Sequence, residues 1–463
     1  MDHQTGKEIE EYRSKCLNSP WRNRSVEENL RLFEDMRKGK YDEGTATLRM
    51  KGDMTHPMPT MRDLVAYRIK YAPHPHVKDL WCIYPTYDYT HCIIDSLENI
   101  THSLCTLEFE VRRESYFWLL HVLDLYKPKV WEYSRLNLEY NVMSKRKLKQ
   151  LVEDKLVSDW DDPRLLTLMG LRRRGLTPEI INTFCDRVGV SRNANTIRQE
   201  LLDFCTRDVL NNVASRAMVI KDPVRVTLSN YPAGKVESVK APVFPHSMEK
   251  GFRDLPFSRV LYIDRDDFRT ADEPGFYRLA PGKTVHLLYA YNITCTSFTA
   301  NAEGVVTDIV ATVDLDSLLS IDHKDKDAAA EAKDKSKKVK GNLHWVAEPK
   351  PGQAPFSVEL RLYDRLFTIP EPAGADDWLS HLNPKSLVVV PSAYAEPSLR
   401  NAKSEDKFQF ERVGYFCADS RDHSAAHAVF NLTISLREDR DKPATAAAAA
   451  TTAKPASAKA KKK

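Results

Sequence analysis

The apolar residues of this chain change their spacing near residue 217, and that change limits the folds open to it. Before it, apolar residues recur at helical intervals, as in RRESYFWLLHVLDLY (112–126). After it they alternate, as in TVHLLYAYNIT (284–294) and SVELRLYDRLF (357–367). In the first of these segments, the residues predicted to share one face of a strand are Val285, Leu287, Tyr289, Tyr291 and Ile293. The pattern predicts a multidomain protein, with an α/β and helical first part followed by two antiparallel β-barrels.

In the first part, short strands alternate with helices. Strands are predicted at 80–84 (LWCIY), 101–109 (THSLCTLEF) and 130–138 (VWEYSRLNL), with helices at 89–100 and 112–126. This βαβαβ order favours a parallel sheet.

Helix boundaries are marked by capping residues. A helix is predicted at 22–40, where Ser25 and Glu28 form a capping box and the apolar face holds Val26, Leu30 and Phe33. Residues 147–212 are also predicted to be helical. Gly175 is expected to end one of these helices, and Pro178 to lie in the first turn of the next. Thr196 and Gln199 are expected to form a further capping box.

The composition of the 463 residues, 42% hydrophobic and 29% charged, is that of an ordinary soluble protein. The eight cysteines are scattered without a CxxC pair, which favours a reducing compartment, and we expect a cytoplasmic protein. No run of eighteen apolar residues occurs, so no membrane span is predicted.

Two segments have a strongly charged or low-complexity composition. Residues 323–341 are predicted to form a mobile loop, and 437–463 a disordered tail rich in Lys and Ala. The formal net charge is +4, but six lysines and no acidic residue lie from Lys442 onward. Any polyanion partner must therefore be argued from local patches.

Two short segments carry chemically active side chains, whereas no GxxxxGK[ST], GxGxxG, HExxH or GxSxG motif occurs. VMSKRK (142–147) follows a predicted strand, where ligand loops of parallel sheets lie, and its lysines could bind phosphates. From the spacing alone, a solvated helix start with Ser144 as N-cap is the simpler interpretation. HCIIDSLENITHSLC (91–105) holds two His and two Cys, but their spacing does not fit a paired zinc site, and no structural metal is predicted.

Four long segments together resemble glutaminyl-tRNA synthetases of the eukaryotic type, a class I family. They are WCIYPTYDYTHCIIDSLENITHSLCTLEF, EYSRLNLEYNVMSKRKL, WDDPRLLTLMGLRRRG and FQFERVGYF. The resemblance runs from about Glu10 to Leu436, and VMSKR (142–146) is similar to the family's KMSKS loop. It implies ATP-dependent attachment of L-glutamine to tRNA(Gln) through a glutaminyl-adenylate, with Mg²⁺ accompanying the ATP.

The resemblance also implies site residues, carried over by position. Lys145 and Ser144 would be catalytic, by holding the ATP phosphates and stabilising the departing pyrophosphate. ATP would contact Thr106, Arg135, Leu136, Met143, Ser144 and Lys145. Glutamine would contact Tyr87, His91, Ser103, Cys105 and Phe109. The inside of the tRNA bend would contact Ser191, Arg192, Asn195, Thr196 and Arg198, and the anticodon Asn211, Arg216, Arg278, Gln409 and Arg412.

The chain departs from the family pattern in three ways. No HIGH-type segment (His-x-Gly-His) occurs, so we expect an N-terminally truncated chain that lacks the first half of the nucleotide-binding fold and is inactive alone. Val130 stands where many relatives have a glutamine that helps to recognise the substrate through water. At other family anticodon positions where basic residues occur, the chain has Tyr277, His286 and Leu288.

Two alternative functions remain. A glutamyl-tRNA synthetase of the same subclass commonly carries arginine at the position of Cys105, where it can pair with a substrate carboxylate, so a neutral thiol favours glutamine. A non-catalytic tRNA-binding protein is the other alternative, which the absent HIGH half supports. The resemblance further implies a monomer, or association within a multi-synthetase complex.

These patterns together predict five segments. They are the remainder of an acceptor-arm-binding domain (1–76), the second half of a Rossmann-like catalytic domain with its KMSKS-like loop (77–146), a helical connecting domain (147–216), two anticodon-binding β-barrels (217–436) and the tail (437–463).

Overall fold

The computed structural model describes residues 1–318 and 339–436. Most of the predicted loop at 323–341, and the whole predicted tail, lie outside these residues. The chain divides into two units. Unit 1 comprises Met1–Leu136 and Gly189–Asn195, and unit 2 comprises Asn137–Val188 and the described residues from Thr196 onward.

Unit 1 combines a small antiparallel sheet with a parallel strand pair. Its helices are α1 (Gly6–Ser14), α2 (Val26–Arg37), α3 (Tyr87–Leu97) and α4 (Arg113–Val122). Its strands are β1 (Thr47–Arg49), β2 (Val65–Ile69), β3 (Ile83–Pro85), β4 (His102–Thr106) and β5 (Lys129–Tyr133). Strands β1, β2 and β3 pair antiparallel in that order, and β4 pairs parallel with β5.

The predicted βαβαβ parallel sheet is therefore wrong for its first strand. The segment predicted at 80–84 forms β3 only from Ile83, and β3 pairs antiparallel with β2, with Ile69 opposite Ile83. The residues of β2 show no clear alternation of apolar and polar side chains in the sequence. Strand β2 was therefore not predicted, and neither was its pairing with β3. Among the described residues of this predicted sheet, β4, α4 and β5 form a parallel unit, in which a helix connects two parallel strands.

Helix α2 has the predicted N-cap, but of its predicted apolar face only Phe33 packs against the core. The Ser25 hydroxyl accepts a hydrogen bond from the backbone N–H of Glu28 at 3.2 Å. Val26 and Leu30 are 69% and 64% exposed, whereas Leu32 and Met36 are buried. The helix carries two apolar stripes, and contacts with the neighbouring strands, rather than the helical period, decide which of them is buried.

The β4–β5 pair is covered on one side only. Val130 packs against a buried cluster on α3 and α4 that includes Cys92, Leu119 and Leu120. On the opposite face, the register partners Leu104 and Trp131 are 62% and 50% exposed. Because successive residues of a strand point to opposite faces, this second face of the pair is apolar and open.

Unit 2 combines helices with two seven-stranded sheets. The helices are α5 (Lys145–Glu153), α6 (Leu168–Arg174), α7 (Pro178–Val188) and α8 (Gln199–Val213). The strands of the first part are β6 (Asn137–Leu138), β7 (Thr196–Ile197), β8 (Ser215–Ala217), β9 (Val219–Ile220), β10 (Pro223–Leu228), β11 (Val236–Pro242), β12 (Phe252–Ser258), β13 (Val260–Asp264), β14 (Thr284–Leu287), β15 (Asn292–Ala300) and β16 (Val306–Asp314). Those of the second part are β17 (Asn342–Leu343), β18 (Val346–Ala347), β19 (Phe356–Tyr363), β20 (Leu387–Ala395), β21 (Lys407–Phe410), β22 (Gly414–Ala418) and β23 (Val429–Ser435).

The two sheets of unit 2 are mixed rather than purely antiparallel. Sheet A has the strand order β17-β14-β15-β16-β10-β13-β18, and sheet B has the order β8-β21-β22-β23-β19-β20-β9. Each contains parallel pairs, which are β10–β16 and β14–β17 in sheet A and β19–β23 and β8–β21 in sheet B. The predicted antiparallel pairing is therefore confirmed for most neighbouring strands of the two sheets and is wrong for these four pairs, where strands distant in the chain lie side by side.

The strand predictions are less accurate in sheet A than in sheet B. The segment 284–294 is a hairpin rather than one strand, since β14 ends at Leu287 and β15 begins at Asn292. Tyr289 in the turn adopts a φ of +65°. In sheet B the prediction is confirmed, because Val358 and Leu360 of β19 are buried.

Most predicted helix ends in unit 2 are confirmed. Helix α5 begins directly after Ser144, Gly175 caps the C-terminus of α6 with a φ of +110°, and Pro178 begins α7. The capping box of Thr196 is wrong, because Thr196 pairs in β7 with Asn137 of β6 and α8 begins after Arg198 without a side-chain cap. Within the described residues, none of the helices combines the length and the apolar character that crossing a membrane requires.

Candidate functional site

The five residues predicted to bind glutamine lie close together in unit 1. Tyr87 and His91 lie one turn apart on α3, and their rings stack with centroids 4.8 Å apart. Phe109 follows β4, and its ring centroid lies 5.1 Å from that of Tyr87. Ser103 on β4 has its hydroxyl 3.4 Å from His91 Nε2. The residues form an aromatic wall with a polar edge.

Asp95 organises this polar edge, although sequence reasoning did not select it. Its Oδ2 accepts hydrogen bonds from Ser103 Oγ at 2.7 Å and from the Tyr116 hydroxyl at 2.9 Å, and lies 3.2 Å from His91 Nε2. Burial, reinforced by the hydrogen bond to Asp95, raises the pKa of Tyr116. Asp95 stands four residues after His91 on α3, and this helical spacing is the signal that could have identified it.

The charges around Cys105 are balanced. Burial raises the pKa of the Cys105 thiol, and the Glu132 carboxylate adds to the effect, so the thiol is neutral at pH 7. Arg113 donates from Nε and Nη2 to the two carboxylate oxygens of Glu132, each at 2.9 Å. Arg112 forms an ion pair with Asp88. Both guanidinium groups beside this wall are thus engaged by carboxylates.

Three residues predicted to bind ATP lie at the carboxyl ends of β4 and β5. Thr106 is the last residue of β4 and pairs with Tyr133 of β5. Arg135 and Leu136 follow β5, and Arg135 Nη2 lies 2.7 Å from Glu108 Oε1 in an exposed ion pair. Ligands of α/β sheets commonly bind at this edge of the strands.

Residues 189–195, which include the predicted tRNA-binding residues Ser191, Arg192 and Asn195, contact β5 within unit 1. The backbone N–H of Ser134 donates to the carbonyl of Ser191 at 2.7 Å. Arg192 forms ion pairs with Glu110 and, at 3.0 Å, with Glu132. Asn195 is exposed.

The KMSKS-like residues lie in unit 2, where Val142 anchors them in a buried cluster with Leu151 and Phe367. Met143 and Lys145 are exposed, and Ser144 occupies the N-cap position of α5 without a side-chain hydrogen bond. Lys147, by contrast, donates to the carbonyl of Ala373 at 2.8 Å.

Two predicted tRNA-binding residues follow in the same unit. Thr196 lies in β7, and Arg198 is exposed immediately before α8.

Three predicted anticodon-reading residues meet at one end of sheet B. Arg216 and Gln409 are register partners in the β8–β21 pair. Arg216 Nη2 donates to Asn211 Oδ1 at 2.8 Å, and Gln409 Nε2 donates to the Tyr415 hydroxyl at 3.1 Å. The Tyr415 hydroxyl in turn donates to Asn211 Oδ1 at 3.4 Å. Tyr415 completes this cluster, and its place opposite Gln409 in the β21–β22 pair could not be deduced without the strand register.

The other two anticodon candidates meet on a buried carboxylate. Arg412 donates to the two oxygens of Asp267 at 2.5 and 2.8 Å, and Arg278 Nη1 lies 3.3 Å from Asp267 Oδ1. Arg412 also contacts His344, which lies 3.0 Å from Asp264. Sequence reasoning selected the arginines but missed the acid that orients both.

The three anticodon positions at which the chain departs from the family pattern have other surroundings. His286 is buried, which lowers its pKa, and its Nδ1 lies 3.0 Å from Asn292 Oδ1. Leu288 packs against the core of sheet A, and Tyr277 is 55% exposed. Among residues 1–318 and 339–436, no group of three or more His, Cys, Asp or Glu side chains is placed to hold a metal ion.

Family models match most of the chain. The model for tRNA synthetases class I (E and Q), catalytic domain, matches residues 1–212. Two models for the anti-codon binding domain of the same class match residues 214–314 and 342–419.

Curated relatives match along nearly the whole chain. A probable glutamine–tRNA ligase of Dictyostelium discoideum is 52% identical over 95% of this chain and 54% of its own length. The glutamine–tRNA ligase of Lupinus luteus is 50% identical over 96% of this chain and 54% of its own length. The chain thus spans about half the length of these two relatives. The glutamine–tRNA ligase of Tolumonas auensis is 49% identical, over 95% of this chain and 77% of its own length. The chain therefore belongs to the glutamine–tRNA ligase family of the class I tRNA synthetases.

Proposed function

We propose that this chain supplies part of the machinery that joins glutamine to tRNA(Gln) with ATP, through a glutaminyl-adenylate. In this proposal, unit 1 supplies the residues that recognise glutamine, and unit 2 supplies Lys145 and the residues that read the anticodon. Mg²⁺ arrives with the ATP phosphates, which are its preferred partners in such reactions. The observation that carries the proposal is the aromatic wall of Tyr87, His91 and Phe109, with the neutral thiol of Cys105 in the same group of residues.

The charge balance of this wall favours glutamine over glutamate. A glutamate carboxylate requires a cation, but Arg112 is paired with Asp88 and Arg113 with Glu132. The thiol of Cys105 is neutral, and a buried anion without a partner is strongly disfavoured. A side-chain amide carries no charge and can exchange hydrogen bonds with hydroxyl and imidazole groups.

Analogue binding tests this preference. The 463-residue chain is titrated calorimetrically with non-hydrolysable glutaminyl- and glutamyl-adenylate analogues. We expect the glutaminyl analogue to bind at least tenfold more tightly, which corresponds to about 1.4 kcal/mol. Cys105→Arg should reverse the preference, whereas Cys185→Arg, at an exposed position, should leave it unchanged. Equal or tighter binding of the glutamyl analogue by the unaltered chain would refute glutamine specificity.

Lys145 is proposed to hold the phosphates of ATP. It is exposed, and among the described residues no hydrogen bond or ion pair engages its ammonium group. Lys149 on the same helix is paired with Glu153 at 3.3 Å and serves as a control. In a preparation that forms the adenylate, Lys145→Ala should slow the single-turnover step by about 10²- to 10³-fold, the effect of one electrostatic donor. Lys149→Ala should not, and an unchanged rate for Lys145→Ala would remove it from the catalytic step.

Anticodon recognition is proposed for the Asn211, Arg216 and Gln409 cluster. Amide and guanidinium groups suit the edges of unstacked bases. Gln409→Ala should reduce discrimination between tRNA(Gln) and an anticodon-substituted transcript by about fivefold, the contribution of one hydrogen bond of about 1 kcal/mol. Gln353→Ala, at an exposed turn of the same unit, is the control. Filter binding measures the affinity of each variant for the two transcripts. If Gln409→Ala lost the same affinity for both transcripts, Gln409 would not read the anticodon sequence.

A further inference from the structure

Unit 2 contains a cavity that none of the proposed ligase roles uses. Its volume is about 710 Å³, within the range of about 300–1,000 Å³ that is typical of small-molecule sites. It lies beside α6, α8, β19 and β23. Leucines of all four elements contribute apolar lining, namely Leu171, Leu202, Leu362 and Leu432. Their apolar surface would favour the burial of a ligand's non-polar part.

Arg174 is the cation that distinguishes this cavity. It is the last residue of α6, and its Nε donates to the carbonyl of Thr433 at 3.2 Å. In the part of the chain that the structure describes, no hydrogen bond or ion pair engages its two terminal nitrogens. Burial lowers the pKa of this guanidinium, but arginine still remains charged at neutral pH. Two charged donors are therefore left for a ligand.

The neighbouring arginine at the cavity wall provides a contrast. Arg164 donates from Nε and Nη2 to the two oxygens of Asp162, at 2.9 and 2.7 Å, and from Nη1 to Ser386 at 3.0 Å. Its donors are thus satisfied by the protein itself. Asp203, the acid that acts most strongly on Arg174, forms no ion pair with it within 4.0 Å among residues 1–318 and 339–436. Burial raises the pKa of Asp203, which weakens its competition for the guanidinium.

Another part of the cavity wall is formed by two planar side-chain groups. The guanidinium of Arg365 lies 4.0 Å from the ring centroid of Tyr140, and Arg365 is also paired with Glu200 at 3.2 Å. Arg365 and Tyr140 both line the cavity. A planar surface of this kind can stack against a ring, while Arg174 binds an anionic group.

We propose that this cavity binds a small organic anion, with its phosphate or carboxylate group on Arg174 and the rest of the molecule against the leucines and Tyr140. The inference does not rest on the ligase activity. Phosphate and carboxylate share the geometry that a guanidinium recognises, so the chemistry of the cavity fits both.

Titration with defined probes tests the proposal. The 463-residue chain is titrated with inorganic phosphate, ribose 5-phosphate and citrate, by ³¹P NMR for the first two and calorimetry for the third. At least one probe should bind, and Arg174→Gln should weaken that binding at least tenfold. Arg172→Gln is the matched control, since Arg172 lies on the same helix, is exposed and is paired with Glu405. It should change the affinity less than twofold. Binding of ribose 5-phosphate alone selects phosphate chemistry, and binding of citrate alone selects carboxylate chemistry.

A second variant keeps the test decisive if Arg174→Gln does not fold. Val388 lines the cavity and is 47% exposed, so Val388→Trp can narrow the entrance with little disturbance of the core. It should weaken the two organic anions more than inorganic phosphate. No binding by any probe at millimolar concentration would overturn the proposal. So would a loss of tRNA affinity in Arg174→Gln as large as its loss of probe affinity, because the cation would then serve the polynucleotide backbone.

Discussion

Asp95 is the acceptor on which the polar edge of unit 1 depends, and its removal should loosen α3 against α4. Its Oδ2 accepts from Ser103 at 2.7 Å and from Tyr116 at 2.9 Å. The side chain of Asp95 is 15% exposed and Tyr116 is 8% exposed, so water competes weakly for these bonds. A hydrogen bond to a charged group contributes about 1.5–3 kcal/mol. Because the site is partly open, we expect Asp95→Ala to cost about 2–4 kcal/mol.

Hydrogen exchange of peptides covering 87–122 measures this cost. A single unfolding transition is unsuitable, since a chain of several units does not unfold in two states. Local opening energies from amide exchange report α3 and α4 directly. A double-mutant cycle of Asp95→Ala with Tyr116→Phe should give a coupling energy of about 1–2 kcal/mol. Glu98→Ala, at the exposed end of α3, is the control and should change the opening energy by less than about 0.5 kcal/mol.

The titration of Tyr116 gives an independent measurement. Burial and then the hydrogen bond to Asp95 raise its pKa, so the folded protein favours the protonated phenol. This contribution to stability is complete below the unfolded pKa of about 10 and is lost as the pH rises toward the folded value. Asp95→Ala should lower the pKa of Tyr116, as followed by ultraviolet difference absorption. A coupling energy below about 0.5 kcal/mol, together with an unchanged Tyr116 titration, would refute the network.

Three further predictions concern other parts of the chain. Gly175→Ala should lower the local opening free energy of α6, measured by amide exchange, by at least about 2 kcal/mol, because φ is +110° and a Cβ would lie 2.4 Å from Thr433 Oγ1; Gly234→Ala, with open space at its Cβ position, should cost less. Acid should weaken unit 1, since burial opposes ionisation of Glu132 but the hydrogen bonds from Arg113 and Arg192 prevail and lower its pKa. This stability is present above the ordinary value of 4.5 and is lost as the pH falls through the folded value. Glu132→Gln should therefore reduce the loss of opening free energy that β5 shows in acid, as obtained from amide exchange after correction for the intrinsic exchange rate. Leu104 and Trp131 expose an apolar face, so the chain should self-associate in sedimentation velocity, and Leu104→Lys with Trp131→Lys should reduce the association; a monodisperse unaltered monomer would contradict this.

Local sequence signals predicted local structure well. Gly175 and Pro178 mark helix ends because their backbone preferences act within one turn, whatever lies around them. Strand pairing was predicted poorly, because the partner of a strand is set by contacts between distant segments. The pairing of β3 with β2 and the hairpin at 287–292 are both of this kind.

The same difference between local and long-range information applies to the candidate sites. The residue types of the aromatic wall could be named from the sequence, since Tyr87, His91 and Phe109 lie within one short segment. The acids that pair with the arginines predicted to bind tRNA could not be named. Arg412 and Asp267 are 145 residues apart in the chain, and only the fold brings them within hydrogen-bonding distance. Their pairing also determines how strongly the arginine can bind a phosphate.

An arginine that is already paired with a carboxylate contributes less to phosphate binding than an unpaired one. Arg192 is held by Glu110 and Glu132, and Arg412 by Asp267, so a tRNA phosphate would have to compete with these acids. Arg216 differs, because its donors engage carbonyl and amide oxygens rather than a carboxylate. The affinity for tRNA should therefore fall less steeply with salt concentration than the number of arginines suggests. The salt dependence reflects the counter-ions that are released on binding, and their number follows the number of phosphates that the protein neutralises. The paired arginines are better suited to base edges, where a fixed orientation matters more than free charge.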